Sequence, residues 1–235
     1  MQVIASTTTA LNVVLGAANT SVTEGLLADA RAVDVDHTLC MRHASVLRDG
    51  RTWDTSLLLL THDMAALKAL SESWQARPEI SKHVMAIDIM QVQRNVDMLL
   101  PHTQSSIPAS RMLQWIEYVF TRPEHKAVYY QQQYDFSGPA MKRLWDKDRC
   151  SRFIGFELRQ RIYQVHPAFP RWDVIHIVGF TPWQMIKSLP AFLPAWNAQA
   201  RACYGDEKRR KIIWNEEWPR YREVLKHRAF QAHSG

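Results

Sequence analysis

Apolar and polar residues recur along this chain with two different periods, and the switches between them lay out an order of elements. Leu11 to Ala17 (LNVVLGA) is a short aliphatic, β-branched run that reads as a strand. Ser21-Val22-Thr23-Glu24 has the S-x-x-E form of a capping box, and Val22, Leu26, Ala30 and Val33 follow at helical spacing. A helix with one apolar face is predicted there. His37 to Val46 and Trp53 to Thr61 read as strands joined through Arg48-Asp49-Gly50, whose Asp-Gly step favours a hairpin. Asp63 is placed to cap a second helix that carries Met64, Leu67, Leu70 and Trp74 on one face and ends before Pro78. A strand near Val96 to Leu100 completes the order β-α-β-β-α-β, a ferredoxin-like unit over residues 1–100.

Residues 101–110 (PHTQSSIPAS) have two prolines, three serines and no apolar period, and read as a linker. Beyond it, residues 111–235 repeat the unit. Met112 to Phe120 reads as a strand, Glu124 to Tyr134 as a helix stopped by Ser137-Gly138-Pro139, and Met141 to Trp145 as a second short helix. Strands from Arg152 to Ile162 and from Trp172 to Phe180 follow, then a helix from Met185 to Ala202 broken by Pro190 and Pro194, and a final strand placed at Lys211 to Trp214.

The repeat is visible in the residues themselves. Arg51 to Leu70 lies over Arg171 to Leu189 at an offset of 119 (172 minus 53), where Trp53 matches Trp172, Asp54 matches Asp173, Lys68 matches Lys187 and Leu70 matches Leu189. Strand, turn and helix signals agree with the identities. The fold class expected is α+β, with two ferredoxin-like units.

With 46% hydrophobic residues in 235, the chain can bury a full core. Its uninterrupted apolar stretches, such as Leu57 to Leu60, fall well short of the ~20 residues that span a bilayer. The N-terminus lacks a basic leader, so a soluble cytoplasmic protein without membrane association is expected. Cys40, Cys150 and Cys203 form no CxxC pair, which argues for buried thiols over a disulfide framework or a structural zinc site. The net charge of +6 is dispersed, and its one dense run, Lys208 to Lys211, is flanked by acids, so no nucleic-acid partner is expected. Phe153-Ile154-Gly155-Phe156 matches only a fragment of an RNA-recognition strand. Nine Trp, seven Tyr and eight Phe point instead to aromatic surfaces around a hydrophobic small molecule.

Two ferredoxin-like units with facing antiparallel sheets make a dimeric α+β barrel, and the sequence resembles that superfamily. It includes stress-responsive dimeric barrel proteins, EthD-like proteins, antibiotic-biosynthesis monooxygenases and cyclases of the olivetolic acid cyclase type. Trp74-Gln75-Ala76-Arg77-Pro78 followed by Lys82-His83-Val84 resembles the cyclase arrangement, in which the His is the general base. The resemblance assigns that role to His83, and Trp74 stands at the aromatic, substrate-facing position. Arg152 to Glu157 and Trp172 to Phe180 are similar to EthD-like proteins of secondary-metabolite clusters. It implies a cofactor-independent enzyme of secondary-metabolite biosynthesis. Cyclase, isomerase, dehydratase or lyase chemistry on a hydrophobic carbonyl compound is expected. Tandem units can close one barrel within the chain or pair as a homodimer.

Strand geometry adds a second base. Val174, His176 and Val178 share one face of their strand, and a His among aliphatics in a barrel interior suits proton abstraction beside a carbonyl. On the first strand of the second unit Tyr118 is a candidate carbonyl donor and Glu117 a candidate carboxylate to orient an imidazole, with Trp115 on the face of Glu117. Trp74, Trp115, Phe156, Val174 and Val178 are the expected substrate contacts. Glu157, Arg159 and Arg161 read as a surface ion-pair ladder. No Gly-rich phosphate loop, nucleophile elbow or HExxH motif occurs, so no cofactor or metal is expected. The competing readings are a haem-binding barrel enzyme and a non-catalytic small-ligand-binding protein.

Overall fold

Two strands of the first half are aliphatic on both faces because both faces are covered. All seven residues of β3 (Thr55–Thr61) are buried, as are six of the seven in β1 (Thr9–Leu15). Continuous apolar runs of this kind mark strands packed on two sides. In the computed structural model the described residues are 9–16, 20–33, 35, 37–44, 53–61, 63–93, 113–119, 126–167, 169, 171–188, 190, 194 and 226–234, with the backbone alone for 37–44, 113–117, 132, 152 and 226–234.

The remaining elements of the first unit are α1 (Thr20–Ala32), β2 (His37–Ala44), α2 (Met64–Ala76), α3 (Pro78–Ser81) and β4 (Val84–Val92). The second unit contains β5 (Leu113–Val119), α4 (Lys126–Gln132), a π-helical turn (Gln133–Ser137), α5 (Gly138–Asp146), β6 (Arg152–Gln164), β7 (Val174–Phe180), a helical stretch over residues 182–188 and β8 (Lys226–Ser234). All neighbouring strands are antiparallel and close into one barrel in the order β1-β3-β2-β8-β5-β7-β6-β4. Each half reads 4-1-3-2 in its own numbering, the ferredoxin-like order, and a single chain completes the barrel.

Three expectations shift. The fourth strand of the first unit is β4, which starts twelve residues (96 minus 84) before the stretch expected at Val96 to Leu100, and that stretch lies outside the described residues. VMAIDIMQV carries no period-2 signal because both its faces are covered and Asp88 sits inside. Ser137-Gly138-Pro139 does not stop the helix. The chain widens into a π turn and Pro139 falls in the first turn of α5, where its missing N–H costs nothing. Helix α1 starts at Thr20, so Ser21 lies within it rather than capping it. The linker at 101–110 and the strand expected at Lys211 to Trp214 lie outside the described residues, whereas Lys226–Ser234 pairs with β2 and β5. The expected cap of α2 is in place: Asp63 accepts from the N–H groups of Ala65 (2.9 Å) and Ala66 (3.1 Å).

The core has three layers. Leu11, Val13, Leu15, Leu57, Leu59, Ile87 and Ile89 face α1 and α2 through Leu26, Leu67, Leu70 and Trp74. Met141, Cys150, Phe153 and Phe180 pack on the outer side of the second sheet. Between the sheets, Val14, Leu58, Leu60, Met90, Ile154, Phe156, Ile175 and Ile177 fill the barrel with Trp53, Tyr118, Phe169 and Trp172. The repeated tryptophans meet there, Trp53 and Trp172 lying with ring centroids 5.8 Å apart. Tyr118 and Ser56 join across the interior at 2.7 Å between their hydroxyl oxygens. Replacing Tyr118 by Phe removes this cross-barrel bond, and a loss of about 1 kcal/mol is expected in denaturant unfolding, with Ser56→Ala and the double variant closing a coupled cycle.

Candidate functional site

Where β4 meets β6, two residues of β6 twice face one of β4. Met90 pairs with Leu158 and Ile89 with Gln160, leaving Arg159 as the extra residue, and Asp88 pairs with Arg161 while Ile87 pairs with Tyr163. A bulge resets the alternation of faces. Arg161 therefore leaves the surface side that Glu157 and Arg159 share and turns into the barrel. Only Glu157 and Arg159 remain of the expected ladder, 3.6 Å apart.

Inside, the Arg161 guanidinium clasps Asp88 through Nε to Oδ1 (2.8 Å) and Nη2 to Oδ2 (3.2 Å), with Arg161 6% exposed and Asp88 fully buried. It also lies over the rings of Trp172 (4.8 Å) and Phe169 (5.6 Å), which suits a weakly hydrated planar cation. Asn12 Nδ2 donates to Asp88 at 3.4 Å, and the Trp172 indole N–H is turned toward the same carboxylate without closing a hydrogen bond of normal geometry. Burial pushes the Asp88 pKa above the usual carboxylate value, and Arg161, Asn12 and Trp172 pull against it.

Sequence reasoning missed this site because counting every second residue cannot see a bulge.

His176 lies on the opposite face of the wall. It is 3% exposed, level with Gly155 on β6 and Glu117 on β5, and its ring packs 5.9 Å from Phe153 on the helix side of the sheet. Its Nε2 is 3.2 Å from Oε1 of Gln93, the residue that follows β4. Gln93 is anchored by its own N–H, which donates to the Gly155 carbonyl at 2.9 Å. Gly155 is what makes room: a Cβ there would overlap Gln93 Oε1 and lie 3.2 Å from its Cδ and 3.3 Å from His176 Cδ2. The Gly155 signal was present in the sequence as a glycine inside a strand, a mark of close approach.

The expected site residues thus separate. Val174 and Val178 share the helix-side layer with His176, and Trp115 and Glu117 register opposite Val178 and His176 in backbone pairing. Tyr118 and Phe156 face the barrel interior. His83 precedes β4 and its Nδ1 meets the Gly16 carbonyl at 3.2 Å, so the nine residues of β4, roughly 30 Å of strand, separate it from Gln93. Trp74 is buried under α1 with its indole N–H donating to Asp29 at 2.9 Å. Near the His176 layer, Tyr130 is held above its usual pKa by burial and by Glu157, and the buried Cys150 thiol is pushed up to about 12, which leaves it unreactive. No described helix is long and apolar enough to cross a membrane.

No family model and no curated protein matches the sequence. The structure is similar to that of an anthrone oxidase-like protein at 12% identity and TM-score 0.56, covering 97% of this chain and 92% of that one. It is also similar to a monooxygenase-like protein from Fusobacterium nucleatum at 8% identity and TM-score 0.55, covering 97% and 93%. The fold is the dimeric α+β barrel. Likeness at this level of identity is one of architecture, and the barrel is expressed here in one chain.

Two outcomes follow for the seam. Arg161→Met strands a buried carboxylate and should cost about 3–5 kcal/mol near neutral pH, with Asp88→Asn in the same chain recovering part of the loss. A carboxyl whose folded pKa is raised contributes stability that is full below the unfolded value of 3.8 and fades as pH rises through the folded value. Without Arg161 that pKa rises further, so the penalty measured by urea unfolding should be larger at pH 8 than at pH 4. Gly155→Ala should lower stability by about 1–3 kcal/mol and displace Gln93, visible as a shifted His176 ring resonance in NMR.

Proposed function

We propose that the protein is a cofactor-independent enzyme acting on a hydrophobic carbonyl compound, with His176 moving a proton at the carbon beside the carbonyl. The observation that carries this reading is a buried imidazole in an apolar wall, held at Nε2 by the Gln93 side chain through a contact that only glycine at position 155 permits. An imidazole fixed in this way needs no reorientation when a C–H bond breaks. Phe153, Val174, Val178 and Met141 supply apolar surroundings, with Trp115 and Glu117 in register beside them.

Loss of the proton leaves an enolate, whose electrons reside on oxygen. A cyclase or isomerase carries them to another carbon and takes the proton back, whereas an oxygenase passes them to O2. Cyclase, isomerase or lyase chemistry of the olivetolic acid cyclase or EthD-like kind is the reading that the sequence resemblance favours, and the names of the two structural neighbours add the oxygen-consuming branch. Both begin with the same step at the same base. Of the two expected helpers, Glu117 stands in backbone register with His176, whereas Tyr118 faces the barrel interior, bonded to Ser56, and takes no part at this base.

The shared step is measured by deuterium uptake from D2O at the carbon next to the carbonyl of 1-tetralone and at the methylene of anthrone, followed by mass spectrometry. We expect acceleration by the protein and a fall of at least 100-fold in His176→Ala, the range removed with a general base. His83→Ala should leave uptake unchanged. Undiminished uptake in His176→Ala, or no acceleration of either ketone, rejects the reading, and an oxygen electrode run alongside separates the two branches.

A further inference from the structure

We propose that the side-chain amide of Gln93 binds the oxygen of the substrate in the His176 site, so that the site takes neutral carbonyl compounds in preference to carboxylate anions. This rests on His176 marking the reaction site. Gln93 is 3% exposed, and while its Oε1 faces the imidazole, its Nε2 is buried without a hydrogen-bond partner. Buried amide donors are nearly always satisfied, and an unsatisfied one beside a candidate base is a place where a ligand acceptor belongs. The residue is held in place by its backbone N–H, which is tied to Gly155, and its side chain lies against the bare Cα of that residue.

The geometry divides the work between the two ends of one amide. Oε1 holds the ring of His176, and Nε2 offers its hydrogens to the oxygen on which charge develops when the neighbouring C–H bond breaks. As the proton passes from carbon to the imidazole, the bonding pair moves into the carbon–carbon bond to the carbonyl carbon and the carbonyl pair moves onto oxygen, where the amide receives it. On reprotonation the pairs return. No further reactant is needed.

Charge sets the substrate class. Of the described cations near this face, Lys126 pairs with Asp173 at 3.4 Å and Arg159 with Glu157 at 3.6 Å, and Arg161 is committed to Asp88 on the other side of the wall. A buried carboxylate ligand would meet a neutral amide in place of a cation, which does not repay its desolvation. A ketone loses far less on leaving water.

The probes are 1-tetralone, its oxygen-free counterpart tetralin, and 1,2,3,4-tetrahydro-1-naphthoate, with binding followed by tryptophan fluorescence or calorimetry on the whole chain. Wild type is expected to bind tetralone about tenfold more tightly than tetralin and more tightly than the naphthoate. Gln93→Leu and the isosteric Gln93→Glu, which removes the N–H group while keeping an oxygen toward His176, should both abolish the preference for tetralone over tetralin without weakening tetralin itself. An unchanged preference in the folded Gln93→Glu protein, no preference in wild type, or tighter binding of the naphthoate overturns the proposal. Failure here is distinguishable from failure of the base. If deuterium uptake still requires His176 while the preference ignores Gln93, only the assignment of Gln93 falls; if the preference depends on Gln93 while uptake ignores His176, the base was misplaced.

Discussion

The pairing of β4 with β6 is the constraint on which both polar sites rest. It is one of two seams where the first ferredoxin-like unit joins the second, the other being β2 with β8. Two bulges interrupt it, one at Arg159-Gln160 opposite Ile89 and one at Ile162-Tyr163 opposite Ile87. The first turns Arg161 inward to Asp88, and the strand between Asp88 and Gln93 then delivers Gln93 against Gly155 at the other side of the wall. An ion pair on one face and an amide–imidazole contact on the other are thereby fixed by the same strands. A slip of one residue would exchange the faces and leave Asp88 and His176 both without partners.

Pseudo-symmetry explains how one fold holds two different sites. In the first unit Val14 of β1 opposes Ser56 of β3, and in the second Tyr118 of β5 opposes Ile175 of β7. Each unit thus has one polar member at this level, on opposite strands of the repeat, and those members meet across the barrel. At the next position Leu57 is buried against the helices of the first unit while its counterpart His176 is buried against the second wall. The first copy supplies packing and the second supplies the imidazole, completed by Gln93 from the first. The site belongs to neither unit alone.

Much of the fold was legible because its signals are local. The Trp-Asp repeat at an offset of 119 coincides with the starts of β3 and β7, whose bounds differ by the same interval, and the Asp63 cap is where its spacing places it. What escaped is non-local. Strand β4 is covered on both faces, so VMAIDIMQV has no alternation to read, and the Ser137-Gly138-Pro139 punctuation is absorbed by a π turn. Within the site, His176 was recognisable as an odd residue among aliphatics, but its face was not, since an antiparallel strand covered on both sides does not say which cover is the helix layer. Gln93 carried no signal of its own, because its role depends on a glycine 62 residues further on (155 minus 93).

The proposal that the reaction site lies on the helix side of the wall, away from the aromatic barrel core, is best tested by a crystal structure of the protein with 1-tetralone bound. The ketone oxygen should lie about 3 Å from Gln93 Nε2, with the adjacent carbon against the imidazole of His176. A ligand seated instead within the barrel, against Trp172, Tyr118 and the Asp88–Arg161 pair, would contradict the account.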